Sequence, residues 1–294
     1  MLIRIGHIIT RGLALIDRFL AKLIPCLAAL AAAGCQAPML PDFESLAPAD
    51  AVGYRAGKPF RHLVVERLQP AAAAARQPAT GGGWLHVYIE GDGIPWINHR
   101  HINDDPTPRY PLALHLMSLD SGRAIYLGRP CYFGTDDPHC ETTYWTDGRY
   151  AEPVIDSMMS VLGDYCENHR LVLIGYSGGG VIALLGARQL PCADLVVTVA
   201  SNLDIEGWTA FHGYLPLRTS VNPAAVEPPA GVRQLHLVGG RDQNVPLAAT
   251  RRFFQHTATT PAIYPRYDHR CCWVEEWPRI LQQIEAVKAS MREG

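Results

Sequence analysis

Gly175-Tyr176-Ser177-Gly178-Gly179 is the stretch of this sequence best suited to covalent chemistry. A serine with glycines two positions before and two after matches G-x-S-x-G, the pattern of a hydroxyl held on a sharp strand-to-helix corner. Side chains at the outer positions would collide with the neighbouring strand and helix, so glycine stands there. The chemistry open to such a serine is attack on an acyl carbon. In a chain with 26 glycines the pentapeptide alone is a weak signal, and its flanks carry the inference. Leu171-Val172-Leu173-Ile174 reads as a buried parallel strand, and the apolar run 181–187 as a helix leaving the corner at once.

A serine hydroxyl is a poor nucleophile unless a base takes its proton, and an imidazole of pKa about 6.5 can do so at neutral pH. A carboxylate behind the imidazole fixes its tautomer and stabilises the imidazolium. Both groups are available where strands are expected to end. Asp242 closes Gly239-Gly240-Arg241-Asp242 after a strand over 234–238, and His269 follows a strand over 262–267. Asp204, after a strand over 195–200, is a rival acid, and Asp268 is expected to point elsewhere.

The elements that must position these groups alternate. Strands are expected over 61–68, 85–89, 124–127, 171–176, 195–200, 234–238 and 262–267; helices over 151–168, from the corner to 189, over 246–257 and over 273–290. This alternation predicts a mostly parallel sheet covered on both faces, with its ligand site at the carboxyl ends of the strands.

With Ser177, Asp242 and His269 in that chain order, the sequence resembles the α/β-hydrolase superfamily over roughly residues 60–290. The resemblance implies the α/β-hydrolase fold, a mostly parallel central sheet with helices on both faces and a small cap or lid insertion. It implies that Ser177 attacks, His269 is the base and Asp242 orients it. The oxyanion is then met by the backbone N–H of Gly178 and by one from the loop after strand 85–89. There Glu90-Gly91-Asp92 stands where the family often has His-Gly-x, making the Asp92 N–H the expected donor and Gly93 the reserve. Two carboxylates beside a developing oxyanion would oppose it unless paired or turned away, and Arg129 is the candidate partner. More locally, Tyr-Ile-Glu-Gly-Asp-Gly, Val-Gly-Gly-Arg-Asp and Asp-His-Arg-Cys-Cys-Trp resemble a group of proteobacterial α/β-hydrolase-type predicted lipoproteins. That resemblance implies no substrate.

At 294 residues and 48% hydrophobic, the chain has material for one large core. A formal charge of −2, with no basic run and no zinc-finger spacing, gives no case for nucleic acid. Residues 1–22 carry Arg4, Arg11, Arg18 and Lys22; residues 23–33 are almost wholly apolar; Gly34-Cys35 follows. This reads as a secretory signal over 1–35, its apolar part too short to span a bilayer. Ala32-Ala33-Gly34-Cys35 resembles a bacterial lipobox, with Ala32 where leucine is usual, which would acylate Cys35 and anchor the protein to a membrane. A plain secretory signal or an uncleaved membrane-proximal helix are the alternatives. The localisation expected is exported, in the cell envelope.

Residues 36–58 read as a tether, 69–83 as a low-complexity connector and 59–294 as the hydrolase domain. Segment 202–230, with Trp208, Phe211, His212 and Tyr214, is the expected cap or pocket wall. Six cysteines remain beyond the signal; Cys131–Cys140 would close a short loop, and the rest cannot be paired from sequence. His99, His101, Asp104 and Asp105 read as a solvated loop, and neither metal nor cofactor is expected. The function expected is hydrolysis of an ester or related acyl bond in a small-molecule acyl substrate. A peptidase or amidase with the same three residues, or a non-catalytic envelope lipoprotein using the fold as a binding scaffold, are the alternatives.

Overall fold

The computed structural model describes residues 50–69, 83–98, 100–134 and 137–291. The expected secretory signal with Cys35, the first part of the expected tether, His99 and the connector over 70–82 lie outside the described residues. The strands are β1 (Ala51–Ala56), β2 (Arg61–Arg67), β3 (Gly83–Ile89), β4 (Trp96–Ile97), β5 (His101–Ile102), β6 (Ala124–Leu127), β7 (His169–Tyr176), β8 (Ala193–Val199), β9 (Arg233–Gly239) and β10 (Ala262–Tyr264). The helices are α1 (Leu112–Ser118), α2 (Glu152–Gly163), α3 (Gly178–Gly186), α4 (Ile205–His212), α5 (Leu247–Thr257) and α6 (Trp273–Ser290).

Eight strands form one sheet in the order β1-β2-β6-β3-β7-β8-β9-β10, while β4 and β5 pair in a small hairpin. From β6 to β10 every neighbour is parallel; β2 runs antiparallel to both β1 and β6. The central strands read as unbroken apolar runs because helices cover both faces. Side-chain alternation divides them. Leu85, Val87, Leu171 and Leu173 pack with α2, α3 and α5, whereas Trp84, Tyr88, Val172 and Ile174 pack with α1 and α6. Trp273 and Trp277 of α6 are fully buried in the second layer.

The structure corrects the expected tether, because its last residues belong to the sheet. β1 pairs with β2 from Ala51–Glu66 to Ala56–Arg61. All six of its residues are exposed, so backbone hydrogen bonds rather than a buried apolar face hold it, and no alternation marks it in the sequence. β10 ends at Tyr264, three residues earlier than expected, where Pro265 has no N–H to continue the ladder. Segment 202–230 contributes α4 and an irregular return.

All six cysteines among the described residues are paired: Cys131–Cys140, Cys166–Cys192 and Cys271–Cys272. The first closes the short loop anticipated. The second ties the turns that enter β7 and β8, and the third joins chain neighbours just after His269.

Candidate active site

β7 delivers Ser177 to the sheet's carboxyl edge, and α3 begins at the next residue. Ser177 has φ 51° and ψ −124°, a region that side chains rarely occupy and that persists only when the surroundings over-determine it. Two close approaches do so. A Cβ on Gly175 would lie 2.3 Å from the Gly179 backbone, and one on Gly179 would lie 2.2 Å from the Ile89 carbonyl. The corner is therefore pressed against β3 by main chain on main chain.

His269 lies on the loop between β10 and α6. Its Nδ1 is 2.8 Å from Asp242 Oδ2, and its Nε2 is 3.1 Å from Ser177 Oγ. A carboxylate only accepts, so Nδ1–H donates to Asp242 and the neutral ring's Nε2 accepts from the serine hydroxyl. Asp242 is buried, and its Oδ1 accepts the N–H groups of Asn244 and Val245 at 2.9 and 2.7 Å. The Tyr176 ring lies 5.2 Å from that of His269. Asp204 sits elsewhere: it caps α4 through the Gly207 N–H and pairs with Arg252 at 2.7 Å. Asp268 accepts the N–H groups of Arg270 and Cys271, which folds the loop around His269. His212 meets the Asn244 carbonyl at 2.7 Å.

The loop after β3 passes directly beside Ser177, since a Cβ on Gly91 would lie 3.2 Å from Ser177 Cβ. The N–H groups of Gly178 and Asp92 meet no acceptor among the described residues. The Asp92 side chain turns beneath Gly178, where an added Cβ would meet Asp92 Oδ1 at 2.0 Å and the Tyr150 hydroxyl at 2.5 Å.

Both acids that threatened the oxyanion site are accounted for. Asp92 is paired to Arg129 through Oδ1 and to Arg149 at 3.1 Å through Oδ2, which also accepts the Tyr150 hydroxyl. Burial pushes the Asp92 carboxyl up, but Arg149 and Arg129 outweigh it and hold it below the usual carboxylate range. Glu90 meets no cation. It accepts the N–H groups of Gly91 and Ala113 at 3.0 and 3.1 Å, and burial pushes its carboxyl up to about 7. Arg149 and Tyr150 escape sequence reasoning. They lie 57 and 58 positions from Asp92, in Gly148-Arg149-Tyr150 ahead of α2, and only folding reveals the pairing.

A cavity of about 1020 Å³ opens over Ser177 and His269. Trp208, Tyr214 and Leu215 of the 202–230 segment form one wall, with Trp96, Ile102 and Tyr110 among the residues of the other. Among the described residues no cluster of His, Cys, Asp and Glu could hold a metal ion.

No protein-family model matches the sequence, and no curated protein matches it. Solved structures do resemble its fold. Alpha/beta hydrolase domain-containing protein 10 from mouse superposes with a TM-score of 0.55 at 12% identity, over 82% of this chain and 99% of that one. An esterase of Pyrococcus furiosus gives 0.53 at 10% identity, over 86% and 94%. A proline iminopeptidase-related protein from Thermus thermophilus gives 0.51 at 12% identity, over 81% and 97%. The chain therefore has the α/β-hydrolase fold.

Proposed function

We propose that this chain is a serine hydrolase that cleaves an ester or related acyl bond of a small molecule through an acyl-enzyme. The observation that carries the proposal is His269, bonded at once to the hydroxyl of Ser177 and the carboxylate of Asp242 at the mouth of a cavity. Ser177 Oγ attacks the carbonyl carbon as its proton passes to His269 Nε2. Asp242 stabilises the imidazolium without taking its proton. The carbonyl oxygen, now an oxyanion, accepts from the N–H groups of Gly178 and Asp92. Collapse expels the alcohol, which carries away the proton on Nε2 and leaves the acyl group on Ser177. Water then attacks the acyl carbon with His269 again as base, and the carboxylic acid departs.

The main objection to catalysis is the acidic loop, and the pairing of Asp92 with Arg129 and Arg149 answers it. An ester is taken first because Trp96, Ile102, Trp208 and Leu215 offer an acyl chain apolar surface beside the polar groups of the cavity. A serine-directed fluorophosphonate should give a single adduct at Ser177, lost in Ser177→Ala and strongly reduced in His269→Ala. Failure to label well-folded protein would favour a binding scaffold. p-Nitrophenyl esters should turn over faster than peptide anilides; the reverse would make the enzyme a peptidase.

An exported, lipid-anchored enzyme of the lipoprotein group resembled above completes the proposal. Three disulfides support an oxidising compartment. Cys35→Ser should release the protein from membranes into the soluble fraction, and unchanged detergent partitioning would count against acylation.

A further inference from the structure

Arg149 is 5% exposed and lines the cavity over Ser177. Its Nε donates to the Thr146 carbonyl and its Nη1 to Asp92 Oδ2, while Nη2 meets no acceptor among the described residues. Among the described residues the sealed polar side-chain atoms without a partner are Arg129 Nε and Asn202 Oδ1, so Nη2 of Arg149 keeps some contact with open space, and the residue lines the cavity.

The local charges do not cancel. One carboxylate, Asp92, serves two buried guanidinium groups. Arg129 has the fuller set of partners: Asp92 Oδ1, the Arg149 carbonyl and the ring faces of Tyr132 and Tyr150. Glu90 spends its oxygens on the Gly91 and Ala113 N–H groups and the Tyr126 hydroxyl, none of them cationic. Around the cavity, Arg100, Arg149, Arg218 and Arg270 stand against Glu90, Asp92 and Asp147, an excess of cations in a chain whose formal charge is −2. Arg149 shares the Asp92 carboxylate with Arg129, so a nearly buried guanidinium keeps a spare donor, and a second planar carboxylate fits its fork.

We infer that Arg149 is a substrate-binding residue and that the substrate is an acyl ester bearing a carboxylate, a hemi-ester of a dicarboxylic acid or its like, which docks on Nη2 while its ester carbonyl faces Ser177. This rests on the hydrolase reading, and it deepens that reading by naming the charge of the substrate. A hydrogen bond between two charged partners, partly withdrawn from water, is enough for a preference of about ten- to a hundredfold.

The test compares mono-p-nitrophenyl esters of succinate, glutarate and adipate with p-nitrophenyl esters of uncharged acids of matched length. The wild-type enzyme should prefer one member of the charged series by about tenfold or more in kcat/KM. Arg149→Met, which also removes one of the two cations paired with Asp92 and so slows both series, should in addition bring the charged-to-neutral ratio of kcat/KM toward one, and Arg149→Lys should restore part of that ratio. No preference in the wild type, or a loss of equal size on both series in the variants, would overturn the assignment. Should the variants not fold, calorimetry on Ser177→Ala, which does no chemistry, decides. The dicarboxylates should bind and the corresponding diamides should not, whereas equal binding or none overturns the inference. Hydrolysis of neutral esters without that selectivity would leave the hydrolase reading intact; binding of the dicarboxylates with no fluorophosphonate labelling would do the opposite.

Discussion

Two His–Asp pairs among the described residues share nearly the same local geometry, one half-buried and one fully buried. His269 Nδ1 lies 2.8 Å from Asp242, and His86 Nδ1 lies 2.6 Å from Asp120. In both, the carboxylate sets the tautomer and leaves Nε2 to accept. What Nε2 meets differs. For His269 it is the Ser177 hydroxyl at the cavity. For His86, in the middle of β3, it is the ammonium of Lys288 from α6, with the Tyr88 hydroxyl completing the bonds to Asp120. One pair ends in a group that can give up a proton to become a nucleophile. The other ends in a cation under a helix and ties α6 to the sheet. The proposed division of roles thus rests not on the His–Asp pair itself but on its place, at the carboxyl edge of the sheet in one case and inside the layer in the other.

The same substitution made in both pairs should separate them. Asp242→Asn is expected to lower kcat by about 10⁴ through the wrong imidazole tautomer, with little change in Tm. Steady-state kinetics beside thermal unfolding measure both quantities, and an activity within tenfold of wild type would break the distinction. Asp120→Ala should do the reverse. Leaving the buried His86 N–H and Tyr88 hydroxyl without their acceptor is expected to cost about 3–5 kcal/mol of stability, with kcat per folded molecule within about threefold of wild type.

Acid sharpens the comparison further. Burial opposes ionisation of Asp120, but His86, Tyr88 and the Gly122 N–H hold its carboxyl down from 3.8 to about 2. The stability it contributes is therefore complete above about pH 4 and lost as pH falls through 2. Denaturant titrations at several pH values should show a shallower acid limb for Asp120→Asn than for wild type. Glu90 has the opposite sign. Its folded value of about 7 exceeds the ordinary 4.5, so its contribution is present below pH 4.5 and lost as pH rises through 7. Across that window Glu90→Gln should gain on wild type by about 1–3 kcal/mol, the smallest of these effects. A constant difference between the two curves would place the Glu90 titration elsewhere.

Ser177, Asp242 and His269 were legible because each sits in a turn at the end of an apolar run, a signal local in sequence. The helices and central strands were legible for the same reason. β1 was not, since Ala51–Ala56 buries no side chain and is defined by its bonds to β2. Nor was the Asp92–Arg129–Arg149–Tyr150 cluster, whose members are spread over 59 positions and share no periodicity. The two His–Asp pairs make the point from another side: nothing near His86 or Asp120 in the sequence announces that 34 residues of separation will close to a hydrogen bond.

If the proposed hydrolase activity holds, the contact of Gly179 with the Ile89 carbonyl has a consequence for how the protein can change. It fixes the spacing between the nucleophile and the loop at 90–92 through polypeptide backbone, with no side chain acting as spacer. The reactive geometry is thereby insulated from replacement of the residues that shape the rim. Under the proposed function, new preferences among acyl groups can be written into rim residues such as Trp96, Ile102, Trp208 and Leu215 one at a time, while the Ser177 corner keeps its dimensions.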